Sequence, residues 1–266
     1  MRSIIVIFIV LIFGFPIYWL VAGSLKSDFE MSLNPPTMFP EELHFENFIA
    51  VWDRLDFLDV FKNSLFVSLT TTALIILFCS MGGYSLAKKN IKGKKILTTL
   101  ILSTMIVPPT VLLIPLYFII TEIGLFDSLW GIILPFAVTS FGLVFMKQYI
   151  EGIPDELLEA SRIDGCNEYR IFFTIVMPLL KPAIATLAII EFSNNWNSFM
   201  MPLVLIKDTK LYTIPLKLAS ITNASDVMSW SQILSANVLA IIPVVILFLC
   251  TQKLFISGLM AGSVKG

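Results

Sequence analysis

Ile153-Pro154-Asp155-Glu156-Leu157-Leu158-Glu159-Ala160-Ser161-Arg162-Ile163-Asp164-Gly165, followed after nine residues by Ile175-Val176-Met177-Pro178, is a polar stretch between two strongly apolar blocks. Its local chemistry predicts a short helix, a turn and a second helix. Pro154 suits the first helical position, where a missing N–H costs nothing. Asp155 and Glu156 complement the positive end of the helix. Gly165 falls where a left-handed C-terminal cap is needed, and Asn167 is a good N-cap for the helix that follows. On composition alone the stretch reads equally as a solvated loop carrying two helical turns.

The flanking sequence decides what kind of protein holds this loop. The chain is 57% hydrophobic and only 14% charged, whereas soluble domains carry about a quarter charged residues; it is an integral membrane protein. Apolar runs at about 3–23, 63–87, 96–121, 128–149, 183–201 and 233–252 each approach the ~20 residues that cross a bilayer. The first run is longer than the ~7–15-residue core of a cleaved signal, despite the small residues Ala22-Gly23-Ser24, and reads as a retained anchor with Tyr18 and Trp19 at an interface. Between the first two runs, Phe48, Val51, Trp52, Leu55 and Leu58 recur at helical spacing, predicting a helix with one apolar face. Pro108-Pro109 and Pro115 predict a third span that is kinked and buried in the bundle. The fifth run is the least apolar, interrupted by Glu191, Asn194, Asn195 and Asn197.

Six spans put both termini on one side. That side, with the loops at 88–95 and 147–181 and the tail from 253, carries 12 of the 18 Lys and Arg but 6 of the 19 Asp and Glu. The positive-inside rule makes it cytoplasmic. The cluster Lys88, Lys89, Lys92, Lys94 and Lys95 is then a topology signal rather than a nucleic-acid site. Cys79, Cys166 and Cys250 have no spacing for a metal site or disulfide framework, and the single His44 reads as a surface residue. No phosphate-binding G-x-x-x-x-G-K-[S/T] loop occurs, and no constellation of nucleophile, base and metal ligands marks an enzyme.

With that topology the loop acquires a further reading. Glu159-Ala160-Ser161, three residues, Gly165, nine residues and Ile175-x-Met177-Pro178 resemble the EAA loop of permease subunits in binding-protein-dependent ABC importers. Ser161 stands for the second alanine of that pattern and Met177 for its leucine. The resemblance implies a cytoplasmic coupling helix between the fourth and fifth of six transmembrane helices, in an all-α permease domain covering 1–266. Glu159, Ala160, Ser161, Asp164, Gly165 and Pro178 would then couple the chain to an ATPase. Pro16-Ile17-Tyr18-Trp19 with Ser24-Leu25-Lys26, Trp196-Asn197-x-Phe199 with Pro202-Leu203, and the tail Gly258-Leu259-x-Ala261-Gly262-x-Val264-Lys265-Gly266 resemble the smaller, six-span sugar permeases of the maltose type. The family pattern implies a second, paralogous permease, two ABC ATPase subunits that bind the ATP and Mg, an extracytoplasmic solute-binding protein, and a bacterial or archaeal cytoplasmic membrane. This chain would bind no cofactor itself. Residues 202–232 would meet the binding protein and substrate, and the tail would lie near the ATPase dimer interface.

The expected function is therefore half of a translocation pathway for a sugar or oligosaccharide, driven by a separate ATPase. The same loop also serves permeases for polyamines or phosphate, and a secondary transporter is a more distant alternative. For the pathway itself, Glu191, Asn194 and Asn195 share one helical face that Ser198 extends, and amides and carboxylates hydrogen-bond sugar hydroxyls in either direction. Trp196 offers an apolar face for a sugar ring, or an interfacial anchor instead, and Asn197 adjoins it. Interhelical hydrogen bonding is the structural alternative for the whole patch.

Overall fold

The computed structural model describes residues 2–222 and 228–263, whose regular elements are all helical. Along the chain run α1 (Arg2–Ser24), α2 (Asp28–Ser32), α3 (Glu46–Arg54), α4 (Phe57–Lys88), α5 (Lys94–Thr104), α6 (Leu113–Glu122), α7 (Leu129–Ile133) and α8 (Ser140–Glu151). Then follow α9 (Asp155–Ile163), α10 (Glu168–Ile171), α11 (Met177–Leu179), α12 (Lys181–Trp196), α13 (Met200–Leu205), α14 (Ile214–Thr222) and α15 (Trp230–Ser263). Val6–Ser24, Phe57–Lys88 and Trp230–Cys250 are long and apolar enough to cross a membrane. Three bent pairs bring the spans to six if each pair counts as one: Lys94–Thr104 with Pro109–Glu122 (93°), Leu129–Phe136 with Ser140–Glu151 (42°), and Glu168–Leu179 with Lys181–Trp196 (77°). The last three residues of the glycine-rich tail motif, Val264 to Gly266, lie outside the described residues.

Two compact units emerge. The first comprises Met1–Asn63 and Tyr212–Val245. Its loop after α1 is tied down by polar groups with no access to water. Lys26 is fully buried, donates to the Thr37 carbonyl, lies 3.9 Å from the Glu30 carboxylate and stands 4.8 Å above the Trp19 ring. Asn47 on α3 donates to the carbonyls of Ser24 (3.0 Å) and Lys26 (2.9 Å), which satisfies groups left open at the end of α1. Val51 and Leu55 are buried, but Trp52 and Leu58 are exposed. The single helix expected across these positions is interrupted instead: α3 ends at Arg54, Asp56 is left-handed (φ 49°), and Leu58 belongs to α4.

The second unit comprises Ser64–Leu211 and Ile246–Gly266. Its core joins Ile75 and Cys79 of α4, Met146 and Ile150 of α8, Leu158 of α9, and Ile171, Phe172, Val176, Leu180, Ala183 and Leu187 around the start of α12. Close approach of α4 and α8 depends on Gly83, where a Cβ would lie 2.8 Å from the Lys147 nitrogen.

The third span departs from expectation. Pro108 is extended (φ −60°, ψ 130°) and Pro109 opens a 3-10 turn, so the kink is present. The span is not buried: from Lys94 to Glu122 only Ile120 is covered, and Ile106 is 82% exposed. Proline acts on the backbone, by removing a donor and fixing φ, and carries no information about which side chains are covered. The fifth span is also interrupted. Helix α12 ends at Trp196 after 16 residues, about 24 Å at 1.5 Å per residue, and the chain resumes helix only at Met200.

Candidate functional site

The loop between α8 and α12 is the most fully braced polar segment of the second unit. Helix α9 begins at Asp155, with Pro154 (φ −58°, ψ 135°) preceding it and making no side-chain cap bond. The proline therefore sits one position earlier than its sequence context predicts, since its extended ψ excludes it from the first turn. Asp155 and Glu156 occupy that turn. At the other end Gly165 is left-handed, φ +80°. Its N–H donates to Arg162 O and the Cys166 N–H to Ser161 O, both at 3.0 Å, the paired bonds of a Schellman cap. The Asn167 side chain accepts from the Arg170 N–H at 2.9 Å and starts α10, which passes through a π-helical turn (Phe172–Val176) into α11.

The helix has two distinct faces. Leu158 and Ser161 point inward and are buried; the Ser161 hydroxyl donates to Leu157 O at 2.7 Å. Glu159 and Ala160 in the helix and Asp164 and Gly165 at its C-terminal cap are all exposed, and Asp164 follows Ala160 at the four-residue spacing that shares a helix face. Ile163 joins them at 86% exposure and Tyr169 follows at 72%. Of the six residues expected to couple, then, four share one surface, Ser161 belongs to the packing beneath it, and Pro178 is exposed further along, in α11. The exposed apolar pair Ile163 and Tyr169 was not among them. Helical spacing from Glu159 marks Ile163, but nothing in the sequence marks a large apolar side chain as uncovered.

Charged groups fasten this surface to α4. Lys88 Nζ donates to Ile153 O (2.5 Å) and pairs with Asp155 (2.8 Å), holding the Asp155 carboxyl below its usual range. Glu168 is the hub at the far end. It pairs with Lys89, accepts from the Tyr84 hydroxyl at 2.8 Å and accepts from Arg162 Nε at 3.0 Å. The Lys89 hydrogen bond above all, then those of Tyr84 and Arg162, lower its pKa to about 2. The same contact raises the Arg162 guanidinium above its ordinary value. These partners lie 84 residues apart in sequence at the widest, so no local pattern announces them.

The polar patch of α12 divides. Glu191 is buried and its carboxylate accepts from the Thr139 hydroxyl at 2.8 Å. Thr139 also caps α8, accepting from the Gly142 N–H at 3.0 Å. Asn195 Nδ2 donates to Glu191 O (2.7 Å) and Asn197 Nδ2 to Ser193 O (2.8 Å), which occupies one donor of each amide within the helix. Asn194 and Asn197 are exposed. Trp196 is 3% exposed and stacks on Phe192, ring centroids 5.5 Å apart and 17° from parallel. It is a packed side chain rather than an interfacial anchor, because Phe192 four residues earlier gives it a partner on the same face.

Residues 79–260 match the family model described as a binding-protein-dependent transport system inner membrane component. The chain is 39% identical to the arabinooligosaccharides transport system permease protein AraQ of Bacillus subtilis, over 96% of this chain and 92% of that protein. It is 35% identical to the melibiose/raffinose/stachyose import permease protein MelC of Bacillus subtilis, over 94% of this chain and 91% of that protein. Among solved structures, a chain from a bacterial ABC transporter involved in the import of the acidic polysaccharide alginate matches with a TM-score of 0.85 and 25% identity, covering 96% of this chain and 95% of that one.

Proposed function

The chain belongs to the inner-membrane components of binding-protein-dependent transport systems, and from that premise we propose that it is the six-span permease subunit of an ABC importer for a sugar or oligosaccharide. Relatives that transport arabinooligosaccharides and melibiose, raffinose or stachyose support the solute class. A second permease subunit, two ATPase subunits carrying ATP and Mg, and an extracytoplasmic binding protein complete the machine. This chain binds no nucleotide; its part is mechanical.

The observation that carries the reading is the exposed face of α9 on a fully braced base. Glu159, Asp164 and the exposed Ile163 form a charged and apolar surface suited to a cleft on the ATPase. The salt bridges behind it hand any displacement to α4. Truncating one partner of a charged interface pair costs about 2–5 kcal/mol, enough to uncouple the subunits. Glu159→Ala and Gly165→Asp are expected to reach the membrane at normal levels and to lose substrate-stimulated ATP hydrolysis. Normal transport by both variants would remove the assignment.

On the membrane-embedded side, the exposure of Asn194 and Asn197 supports a contact with solute hydroxyls, with Glu191 engaging both Thr139 and the Asn194 side chain. Asn194→Ala is expected to lower transport, or change which sugars are carried, with the assembly intact; failure to assemble would make the patch structural. Both termini and the α9 loop face the cytoplasm in this scheme. Cysteines at Asn34 and Asp208 should then label from outside intact cells while one at Lys92 does not. Equilibrium binding of candidate sugars to the cognate binding protein would name the solute.

A further inference from the structure

We propose that the cavity between the start of α5 and α8 holds the phosphate headgroup of an anionic membrane lipid, with phosphatidylglycerol the best chemical match. This cavity is a shallow pocket, open to the surface; it measures ≈ 400 Å³ and is lined by Lys94, Lys95, Thr98, Thr99 and Lys147. It lies beside the coupling loop, since Lys94 Nζ donates to Ala87 O at 3.1 Å and the next residue, Lys88, holds Asp155.

The electrostatics of α5 call for an anion there. Gly93 precedes the helix in a left-handed conformation (φ 78°), supplies no side-chain cap, and no acidic residue stands in the first turn. A helix N-terminus carries partial positive charge that acidic groups normally offset. Here Lys94 and Lys95 add two cations to it. The Lys94 ammonium spends one of its three donors on Ala87 O; Lys147 is paired with Glu151 at 2.7 Å; Lys95 is exposed. A phosphate in the pocket answers the helix end, Lys94 and Lys95 together.

The hydroxyls refine the ligand. Thr98 and Thr99 each donate to the carbonyl four residues back, both at 2.9 Å, so their remaining capacity is to accept. The fitting ligand therefore pairs an anion with hydroxyl donors, as a phosphoglycerol headgroup does and a phosphocholine headgroup does not. Its apolar surroundings favour a lipid over free phosphate. On the same helix, next in sequence to Lys95 and Thr99, Ile96 and Leu100 are 69% and 59% exposed, apolar surface on which acyl chains attached to the headgroup could lie.

Basic residues near an anionic leaflet contribute about 1 kcal/mol each, so losing one lysine should weaken retention roughly fivefold. The test is native mass spectrometry of the full-length chain, purified with the subunits that accompany it, titrated with phosphatidylglycerol or phosphatidylcholine. The expected result is preferential retention of phosphatidylglycerol, weakened roughly fivefold by Lys95→Gln and further by adding Lys147→Gln. Lys92→Gln, outside the pocket, should weaken retention distinctly less than Lys95→Gln, and millimolar inorganic phosphate should not displace the lipid. Equal retention of the two lipids, or wild-type retention by the double variant, would overturn the proposal. Displacement by inorganic phosphate would overturn it in favour of a free-anion site, and loss of an ATPase subunit with lipid retention unchanged would overturn it in favour of a protein contact.

Discussion

Within the second unit, the polar loop from Asp155 to Leu180 and the apolar segment from Lys94 to Glu122 invert the pattern of a soluble protein. The loop, rich in charge, buries Leu158, Ile171, Phe172, Val176 and Leu180 and fixes its ends with salt bridges. The apolar segment covers only Ile120. In a chain that lives in lipid, an apolar side chain gains little by being covered by its own protein, whereas a polar loop outside the lipid faces water and must build a small hydrophobic core of its own. A good part of the second unit's core thus falls where the sequence is most polar.

Truncation should expose this contrast most strongly. Leu158→Ala, in the loop core, is expected to destabilise by about 2–5 kcal/mol in thermal unfolding of the purified protein. Ile106→Ala, in the bent span, should stay within about 0.5 kcal/mol. Comparable losses at both positions would erase the distinction.

A smaller effect is expected at the turn that closes α9. Gly165 has nothing within 4 Å of where a Cβ would stand, so only its left-handed backbone penalises substitution. Gly165→Val should cost about 1–2 kcal/mol and Gly165→Asn distinctly less, read by the same unfolding measurement. Equal costs would point to packing rather than to backbone conformation.

The smallest effect sharpens the loop's electrostatic half. Glu168 titrates at about 2 in the folded chain against an ordinary 4.5, so the folded state favours its ionised form. The stabilisation is complete above about pH 4.5 and is lost as pH falls toward 2. Unfolding followed from pH 5 down to pH 3 should show wild type losing more stability than Glu168→Gln, the difference isolating this carboxylate from Asp155 and other acids. Parallel curves would show that the hub contributes nothing to the loop.

What was legible beforehand follows range of interaction. The Gly165 cap, the Asn167 cap and the acidic first turn of α9 are decided within a few residues, and all appear. The kink at Pro108-Pro109 was legible for the same reason. The bracing of the loop was not, because Lys88, Lys89 and Tyr84 come from a distant helix and their alternative reading as a topology signal is complete in itself. Glu191 stood out as a carboxylate in an apolar run. Its partner Thr139, 52 residues earlier, is an unremarkable residue in an unwound segment, and burial of Trp196 depends on Phe192 and on neighbours no periodicity reveals.

The two fastenings of α9 have a mechanical consequence. Asp155 at one end is pinned by Lys88, and Arg162 near the other is pinned through Glu168 to Lys89. A nine-residue helix, about 13 Å long, is thereby a strut hinged at both ends to adjacent points of one long rod. Both ties are partly exposed to solvent, where ion pairs are weak, so they bias the position of α9 against α4 without locking it. A displacement of α9 would then be felt at two neighbouring points near the end of α4 rather than at one.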